Sequence, residues 1–187
     1  MSHPPDLDAA FTAAGLLDVA YAVEPSPVGD LLLAASPEGL LEVAYPDADG
    51  HERTLETLAR EISPRVLAAP GRLDPVRRQL EEYFAGRRRG FAITLDRRRI
   101  RTGFPDRVLV AAATIPYGAT ASYGRVAAAA GSPRAHRAAG RALGANPLPV
   151  IIPCHRVLPA SGRLGGYSGG PERKAILLEL ERLVSGA

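Results

Sequence analysis

Residues 151–157 read Ile151-Ile152-Pro153-Cys154-His155-Arg156-Val157, and they hold the only cysteine of the chain. A thiol reacts as its thiolate, and an ordinary cysteine with a pKa of roughly 8.5 is only slightly ionised near neutral pH. Arg156 and a protonated His155 would both favour the anion. The apolar residues 148–152 predict a buried extended segment that brings Cys154 to the edge of a pocket.

Cys154 also has a simpler interpretation, because a lone cysteine is more often a small buried hydrophobic residue than a reactive group. Adjacent side chains of an extended segment point to opposite faces, so we expect His155 to act on Cys154 through a water molecule. A carboxylate has to orient such a base. Downstream of His155 the sequence offers Glu172, Glu179 and Glu181.

The composition restricts the class of protein. A chain of 187 residues with 46% hydrophobic content can bury a core. A single cysteine excludes an intrachain disulfide framework and argues against a structural zinc site, so we expect no metal and a reducing compartment. The first twenty residues carry three aspartates and no Lys or Arg, unlike a signal peptide, and no apolar run is long enough to span a bilayer. A soluble, cytoplasmic protein is expected.

The charge is distributed unevenly along the chain. Residues 1–96 hold nine arginines against sixteen acidic residues, whereas residues 97–187 hold fourteen basic residues against four acidic ones. The net charges of the two parts are therefore −7 and +10. A basic half is typical of a protein that binds a polyanion such as nucleic acid, although arginine-rich surfaces also occur without that function.

The first half predicts a small antiparallel sheet with helices. Residues up to Leu17 carry no firm pattern. Short aliphatic runs predict strands over 17–23, 30–35, 40–45 and 91–95, with a hairpin turn at residues 36–39. Helical spacing of apolar residues predicts one helix over 52–62 and a second that begins at an Asp74 N-cap and ends at Gly86.

The charge changes sign at the arginines of residues 97–101, which we interpret as an exposed connection between a domain over 1–96 and another over 97–187. The second part predicts helices over 105–114 and 123–130, and a third that starts at the Ser132-Pro133 pair and runs to Gly144. The last two form a helix-turn-helix pattern. A final helix starts at Pro171, with an apolar stripe at Ile176, Leu177, Leu180, Leu183 and Val184.

The third of these helices has an unusual surface. Small residues occupy positions 135, 138, 139, 140 and 142, and Arg134, Arg137 and Arg141 lie between them. A helix of small residues is commonly a tightly packed core helix. Interleaved arginines favour a helix that approaches a DNA backbone closely, because small side chains leave room while guanidinium groups reach the phosphates.

Several motifs together resemble one family. The run Ala145-Asn146-Pro147, the Pro153-Cys154-His155-Arg156-Val157 run and the loop Gly165-Gly166-Tyr167-Ser168-Gly169-Gly170 are similar to the O-6-alkylguanine-DNA alkyltransferases, also called methylated-DNA-protein-cysteine methyltransferases. The similarity extends back through Ile115-Pro116-Tyr117-Gly118 and Ser122-Tyr123-Gly124 and forward through Arg173-Lys174 to Glu181. In the first half it is found chiefly at Tyr83-Phe84-Ala85-Gly86. It implies an α+β chain, with a small N-terminal antiparallel-sheet α/β domain followed by a mostly helical, winged helix-turn-helix-like domain.

The resemblance also implies roles for individual residues. Cys154 would accept the alkyl group, activated through water by His155 and Glu181, with Asn146 ordering the turn and Tyr123 donating to the guanine ring. Arg137 would replace the everted base in the stack, on a helix that lies in the minor groove. Further DNA or base contacts are implied for Ala135, Ala138, Gly140, Val157, Tyr167 and Ser168.

The implied reaction is a single, irreversible transfer of an alkyl group, and it needs no cofactor. The implied partner is double-stranded DNA that contains alkylated guanine; alkylated thymine is left open as a second substrate. We expect a monomer in solution, with cooperative assembly on DNA left open. Three alternatives are a non-catalytic lesion sensor, which would lack the cysteine, a winged-helix transcription regulator and a cysteine hydrolase.

Overall fold

The computed structural model describes residues 15 and 17–186. The unpatterned segment expected before Leu17 lies almost wholly outside these residues. The described residues form two compact units: one contains those up to Glu81 together with Ala92–Asp96, and the other contains Glu82–Phe91 together with those from Arg97 onward. Segment 82–91 thus belongs to the second unit, although it precedes the expected boundary at residue 97.

A four-stranded sheet forms the first unit. Its strands are β1 (Val19–Glu24), β2 (Leu31–Ser36), β3 (Gly39–Ala44) and β4 (Val66–Ala68), and their order is β3-β2-β1-β4. The expected hairpin turn joins β2 to β3, where Ser36 pairs with Gly39. The sheet is mixed rather than wholly antiparallel, because β4 follows a helical crossover and pairs in parallel with β1.

Helices cover this sheet. All four residues from Leu31 to Ala34 are fully buried in β2, which shows that both faces of the central strand are covered. Helix α1 (Glu52–Glu61) inserts Leu58 into a cluster with Val19, Leu32 and Leu41. Helix α2 spans Asp74–Phe84, follows a short 3-10 turn and ends before Gly86, which has a positive φ of 71°.

The strand expected over residues 91–95 does not form. Only Leu95 makes an isolated bridge, to Leu40. The side-chain amide of Gln79 explains the difference, because it donates to Ala92 O at 3.0 Å and accepts from Ala92 N at 2.8 Å. These bonds use the backbone groups at the start of the segment that a strand ladder would need.

The second unit is mostly helical. Its elements are α3 (Phe104–Ala113), β5 (Ala121–Ser122), α4 (Tyr123–Ala129), α5 (His136–Gly144), β6 (Val157–Leu158) and α6 (Pro171–Ser185). The parallel pairing of β5 with β6 sets Ala121 beside Val157. This short ladder brings the start of α4, with Tyr123, next to the Cys154 segment.

Helix α5 starts later than the sequence predicts. Ser132 is not its N-cap, because residues 132–135 form a turn in which Ala135 N donates to Ser132 O at 2.9 Å. The helix proper begins at His136, with Ala135 in the N-cap position. Helix α4 has the side-chain cap that α5 lacks: Arg125 N donates to Ser122 Oγ at 3.1 Å.

Within residues 15 and 17–186, every helix is too short or too polar to cross a lipid bilayer.

Candidate active site

A tight turn precedes Cys154, where the sequence predicted an extended segment. Ile152 N donates to Leu148 O at 2.8 Å, and Cys154 N donates to Ile152 O at 2.7 Å. The segment is buried as expected, but Val150 has a φ of 71°, which is strained for a β-branched residue. The prolines at 147, 149 and 153 limit the backbone on either side, and they favour a folded turn over an extended strand.

Asn146 holds this turn against the sulfur. Its Nδ2 donates to Ile152 O at 3.0 Å and to Cys154 Sγ at 3.2 Å, while its Oδ1 accepts from Leu148 N at 3.0 Å. Burial raises the pKa of the Cys154 thiol, and the bond from Asn146 and the charge of Lys174 oppose that rise. The resting sulfur is therefore a thiol, so a base must take its proton before it can attack.

His155 is the candidate base. Its side chain is fully buried, and Nε2 lies 3.0 Å from Glu181 Oε1. Burial lowers the pKa of His155 more than Glu181 raises it, so the ring is neutral. Because an ionised Glu181 can only accept, Nε2 carries the proton and Nδ1 has a free lone pair, and Nδ1 meets no partner among the described residues.

Glu181 is ionised despite an exposed fraction of only 1%. Tyr83 OH donates to its Oε1 at 2.7 Å, and Gly118 N donates to its Oε2 at 3.0 Å. Burial opposes the charge, but the hydrogen bonds from His155, Arg156 and Tyr83 outweigh it and lower the pKa of Glu181 to about 2. A carboxylate held in this way orients the imidazole and fixes its tautomer.

Arg156 binds Glu181 rather than the sulfur. Its Nη2 donates to Glu181 Oε1 at 2.8 Å, its Nε to Oε2 at 2.9 Å and its Nη1 to Ile115 O at 2.7 Å. The expectation that Arg156 stabilises the Cys154 thiolate is wrong, since the 3-10 turn over Cys154–Arg156 directs the guanidinium to the helix α6 side.

The buried cation that acts on the sulfur is Lys174. Its side chain is fully buried on α6, and its Nζ donates to Val157 O at 2.8 Å and to Gly166 O at 3.3 Å. Burial lowers the pKa of Lys174, while the neighbouring Cys154 raises it. Lys174 thus ties the strand after the cysteine to the glycine-rich loop and provides positive charge near Sγ.

A cavity of about 280 Å³ opens onto the sulfur. Its lining consists of Tyr123, Gly140, Leu143, Gly144, Cys154, Gly166, Tyr167 and Ser168. This volume lies near the lower end of the range for small-molecule sites, roughly 300–1,000 Å³, as suits a single base. Tyr123 is half-buried, and burial raises the pKa of its hydroxyl. Among the described residues this hydroxyl makes a single long contact, 3.5 Å to Gly166 O. That hydroxyl is available as a donor.

The structure separates the expected site residues into three groups. Tyr123, Gly140, Tyr167 and Ser168 line the cavity with Cys154, and Asn146 contacts the sulfur from outside that lining. His155 and Glu181 form a buried hydrogen-bonded pair that does not line the cavity. Arg137 is exposed and lines an adjoining cavity of about 490 Å³ that shares Tyr123 and Gly140. Val157 is fully buried and contributes its carbonyl to Lys174, and Ala135 and Ala138 lie half-buried along the α5 side.

Comparison with known proteins decides the family. The model of the 6-O-methylguanine DNA methyltransferase DNA binding domain matches residues 103–183, and that of the family's ribonuclease-like domain matches residues 19–97. A methylated-DNA--protein-cysteine methyltransferase of Mycobacterium bovis is 44% identical over 162 residues, which are 87% of this chain and 92% of that protein. The chain belongs to the 6-O-methylguanine DNA methyltransferase family. The constitutive methylated-DNA--protein-cysteine methyltransferase of Bacillus subtilis is 36% identical over 166 residues, 87% of this chain and 95% of that protein.

A solved structure agrees with this membership in the 6-O-methylguanine DNA methyltransferase family. The crystal structure of Mycobacterium tuberculosis OGT in complex with DNA superposes with a TM-score of 0.75 at 40% identity, covering 88% of this chain and 94% of that one. The α+β expectation is confirmed, as is the resemblance from which it came. Family membership therefore excludes the transcription regulator that the helix pair allowed. It also excludes the cysteine hydrolase that the Cys-His pair allowed.

Sequence reasoning gave no role to two members of this methyltransferase site, although both lie in stretches that resemble the family. Lys174 lies seven residues before Glu181, with Leu177 between them, so all three share one helix face; that spacing of two opposite charges was the available signal. Tyr83 is 98 residues from Glu181, and the sequence shows it as an apolar position of α2 within the Tyr83-Phe84-Ala85-Gly86 motif. No local pattern indicates that its hydroxyl binds the carboxylate.

Proposed function

We propose that this chain repairs alkylated DNA by transferring an alkyl group from O-6 of guanine to Cys154, once per molecule. The observation that supports this most directly is the position of Cys154 on the wall of a base-sized cavity, with the next residue, His155, hydrogen-bonded to Glu181. Membership in the family, and a relative of the same family in complex with DNA, support duplex DNA as the carrier of that base.

The base has to leave the stack, because O-6 is not accessible to the sulfur inside a duplex; eversion costs a few kcal/mol. Arg137 is exposed beside the outer cavity and is suited to fill the gap in the stack. Gly140 and Gly144 present no side chain at the α5 wall, so the everted nucleotide can approach the helix closely.

The transfer then follows from the buried groups. A water on the free Nδ1 of His155 takes the thiol proton and passes one of its own to Nδ1, and Glu181 stabilises the imidazolium through Nε2. Sγ attacks the alkyl carbon and displaces O-6, so a carbon–sulfur bond replaces the carbon–oxygen bond, and the leaving guanine receives a proton. Tyr123 OH is the candidate donor to the ring, and its proton is replaced through solvent as the His155 imidazolium gives up the one taken from the thiol. The thioether product has no good leaving group, so each chain reacts once.

Intact-mass spectrometry tests this proposal. Wild-type chain incubated with a duplex containing O-6-methylguanine should gain one CH2, located on Cys154 by peptide mapping, and an unmodified duplex should give none. Cys154→Ala should keep DNA binding and gain no mass. A wild-type chain without adduct after complete binding would contradict the proposal, and a duplex with O-4-methylthymine decides the second substrate.

A further inference from the structure

Helix α5 carries a row of arginines on its solvent side. Arg134 lies in the turn that precedes the helix, and Arg137 and Arg141, four residues apart, share one face of α5. All three are exposed, and none has an ion-pair or hydrogen-bond partner among the described residues. These three unpaired guanidinium groups are available to an external anion.

One of these arginines also borders a second depression, on the far flank of the helix. Arg141 and Arg101 line a cavity of about 210 Å³ with Ala138 and Ala145 on one side; we call it the Arg101/Arg141 cleft. Phe104 and Pro105, in the first turn of α3, close the other side. Arg101 is exposed and has no partner within residues 17–186.

The acidic residue of that first α3 turn does not neutralise the cleft. Asp106 forms an ion pair with Arg97, outside the cleft lining. The small side chains of Ala138 and Ala145 leave the two guanidinium groups accessible, and a guanidinium binds a phosphate with two parallel hydrogen bonds. The cleft therefore has the chemistry of a phosphate site.

The helix separates this cleft from the base cavity. At about 100° per residue, Gly140 and Gly144 fall on one flank of α5, Ala138 and Ala145 fall on the other, and Arg137 and Arg141 lie between them. The lining residues agree: the first pair borders the Cys154 cavity and the second pair borders the cleft. The resemblance implies that α5 docks in a DNA minor groove, which is about 6 Å wide, and a helix about 10 Å across would there contact both backbones.

We propose that the Arg101/Arg141 cleft binds a backbone phosphate of the DNA strand opposite the lesion. The damaged strand sends its everted nucleotide to the Gly140 flank, and the complementary strand passes the Ala138 flank, where the two arginines receive its phosphate. The orientation of the DNA in this proposal rests on the proposed function. The phosphate subsite would in addition make the protein prefer duplex over single-stranded DNA.

Equilibrium binding of Arg101→Ala, Arg141→Ala and the double variant to undamaged duplex and to the matching single strand tests the subsite. Each replacement should weaken duplex binding about tenfold at low salt, and the double variant should reduce the slope of log affinity against log salt by about 1. Single-strand affinity should change much less. Arg101→Lys should recover part of the loss, since it restores the charge without the bidentate geometry.

Arg60→Ala is the matched control, because it removes the same charge from an exposed position of α1 in the acidic first half; its duplex affinity should equal that of wild type. Thermal melting of every variant separates loss of a contact from loss of fold. An unchanged salt slope in the double variant, or equal losses on duplex and single strand, would overturn the proposal. If the wild type takes up no methyl group, that result contradicts the proposed function. It does not change the outcome of this binding experiment, which tests the subsite alone.

Discussion

At the scale of single residues, Tyr83 is the group whose role is least evident from the sequence. Its hydroxyl and His155 Nε2 bind the same oxygen of Glu181. Removing that hydroxyl should make the carboxylate more basic, strengthen its bond to His155 and raise the pKa of the imidazole. Tyr83→Phe should therefore move the rising limb of the pH–rate profile for methyl transfer to higher pH.

Tyr117→Phe is the control for this change. Tyr117 packs edge-on against Tyr83, its ring lies near the Arg156 guanidinium, and its buried hydroxyl has no partner in the described part of the chain. The variant loses a hydroxyl from the same aromatic cluster without altering Glu181. If both variants lose stability but keep the wild-type pH profile, Tyr83 contributes packing alone and its hydroxyl does not tune the pKa of His155.

Lys174 gives a second residue-scale prediction. Lys174→Met removes the charge that lowers the pKa of Cys154 and the donor shared by Val157 O and Gly166 O. Transfer at neutral pH should slow by roughly ten- to a hundredfold, and the pH at which Cys154 becomes reactive toward a small alkylating reagent should rise. Arg173→Met, which loses the adjacent charge, should keep that pH; a shift of equal size there would assign the effect to net charge.

At the scale of secondary structure, helix α6 shows where periodicity misleads. The predicted stripe included Ile176 and Leu183, yet their exposed fractions are 42% and 65%. Leu177 is buried as predicted, but the residues buried with it on this face are Lys174 and Glu181. A prediction from apolar periodicity takes polar residues to be exposed. In this helix a Lys and a Glu are buried because they belong to the active site, so the prediction fails there.

Leu177→Ala and Ile176→Ala test this reassignment of the α6 face. Leu177 is fully buried, so its truncation should lower the free energy of unfolding by about 2–5 kcal/mol, through lost burial and the cavity left behind. Ile176 is largely exposed and should cost about 0.5 kcal/mol or less. Urea unfolding measures both. Equal losses of unfolding free energy in the two variants would show that Ile176 is buried as the sequence predicted.

Elements that depend on local sequence were predicted, and elements that depend on contacts distant in the sequence were not. The helices over 52–61 and 104–113 and the hairpin at Ser36 follow from spacing and turn residues, and the sequence predicted them. The turn at residues 148–152 and the late start of α5 depend on backbone bonds that no periodic pattern records. The cysteine, its histidine and the resemblance located the reactive centre, whereas Tyr83 and Lys174 act through tertiary contacts.

At the scale of the whole molecule, the buried charges link the site to stability in acid. Glu181 has a folded-state pKa of about 2, below its ordinary value of 4.5, so the unfolded chain binds more protons as the pH falls between these values. Burial also lowers the pKa of His155 below 6.5, so protonation of the unfolded chain begins to favour unfolding below about pH 6.5. Both groups stabilise the fold at neutral pH, and both contributions decline with acidification.

Glu181→Gln should isolate the carboxylate part of this dependence. At pH 7 the variant leaves Arg156 buried without its charge partner, and the free energy of unfolding should fall by about 3–5 kcal/mol. Because the wild-type advantage depends on an ionised Glu181, the gap between the two proteins should narrow as the pH falls from about 4.5 toward 2. Glu179→Gln is the matched control: its carboxylate is exposed and pairs with Arg182, so its unfolding curve should stay close to wild type throughout. Urea unfolding at a series of pH values measures the gap, and a gap of constant size down to pH 3 would mean that folding does not lower the pKa of Glu181.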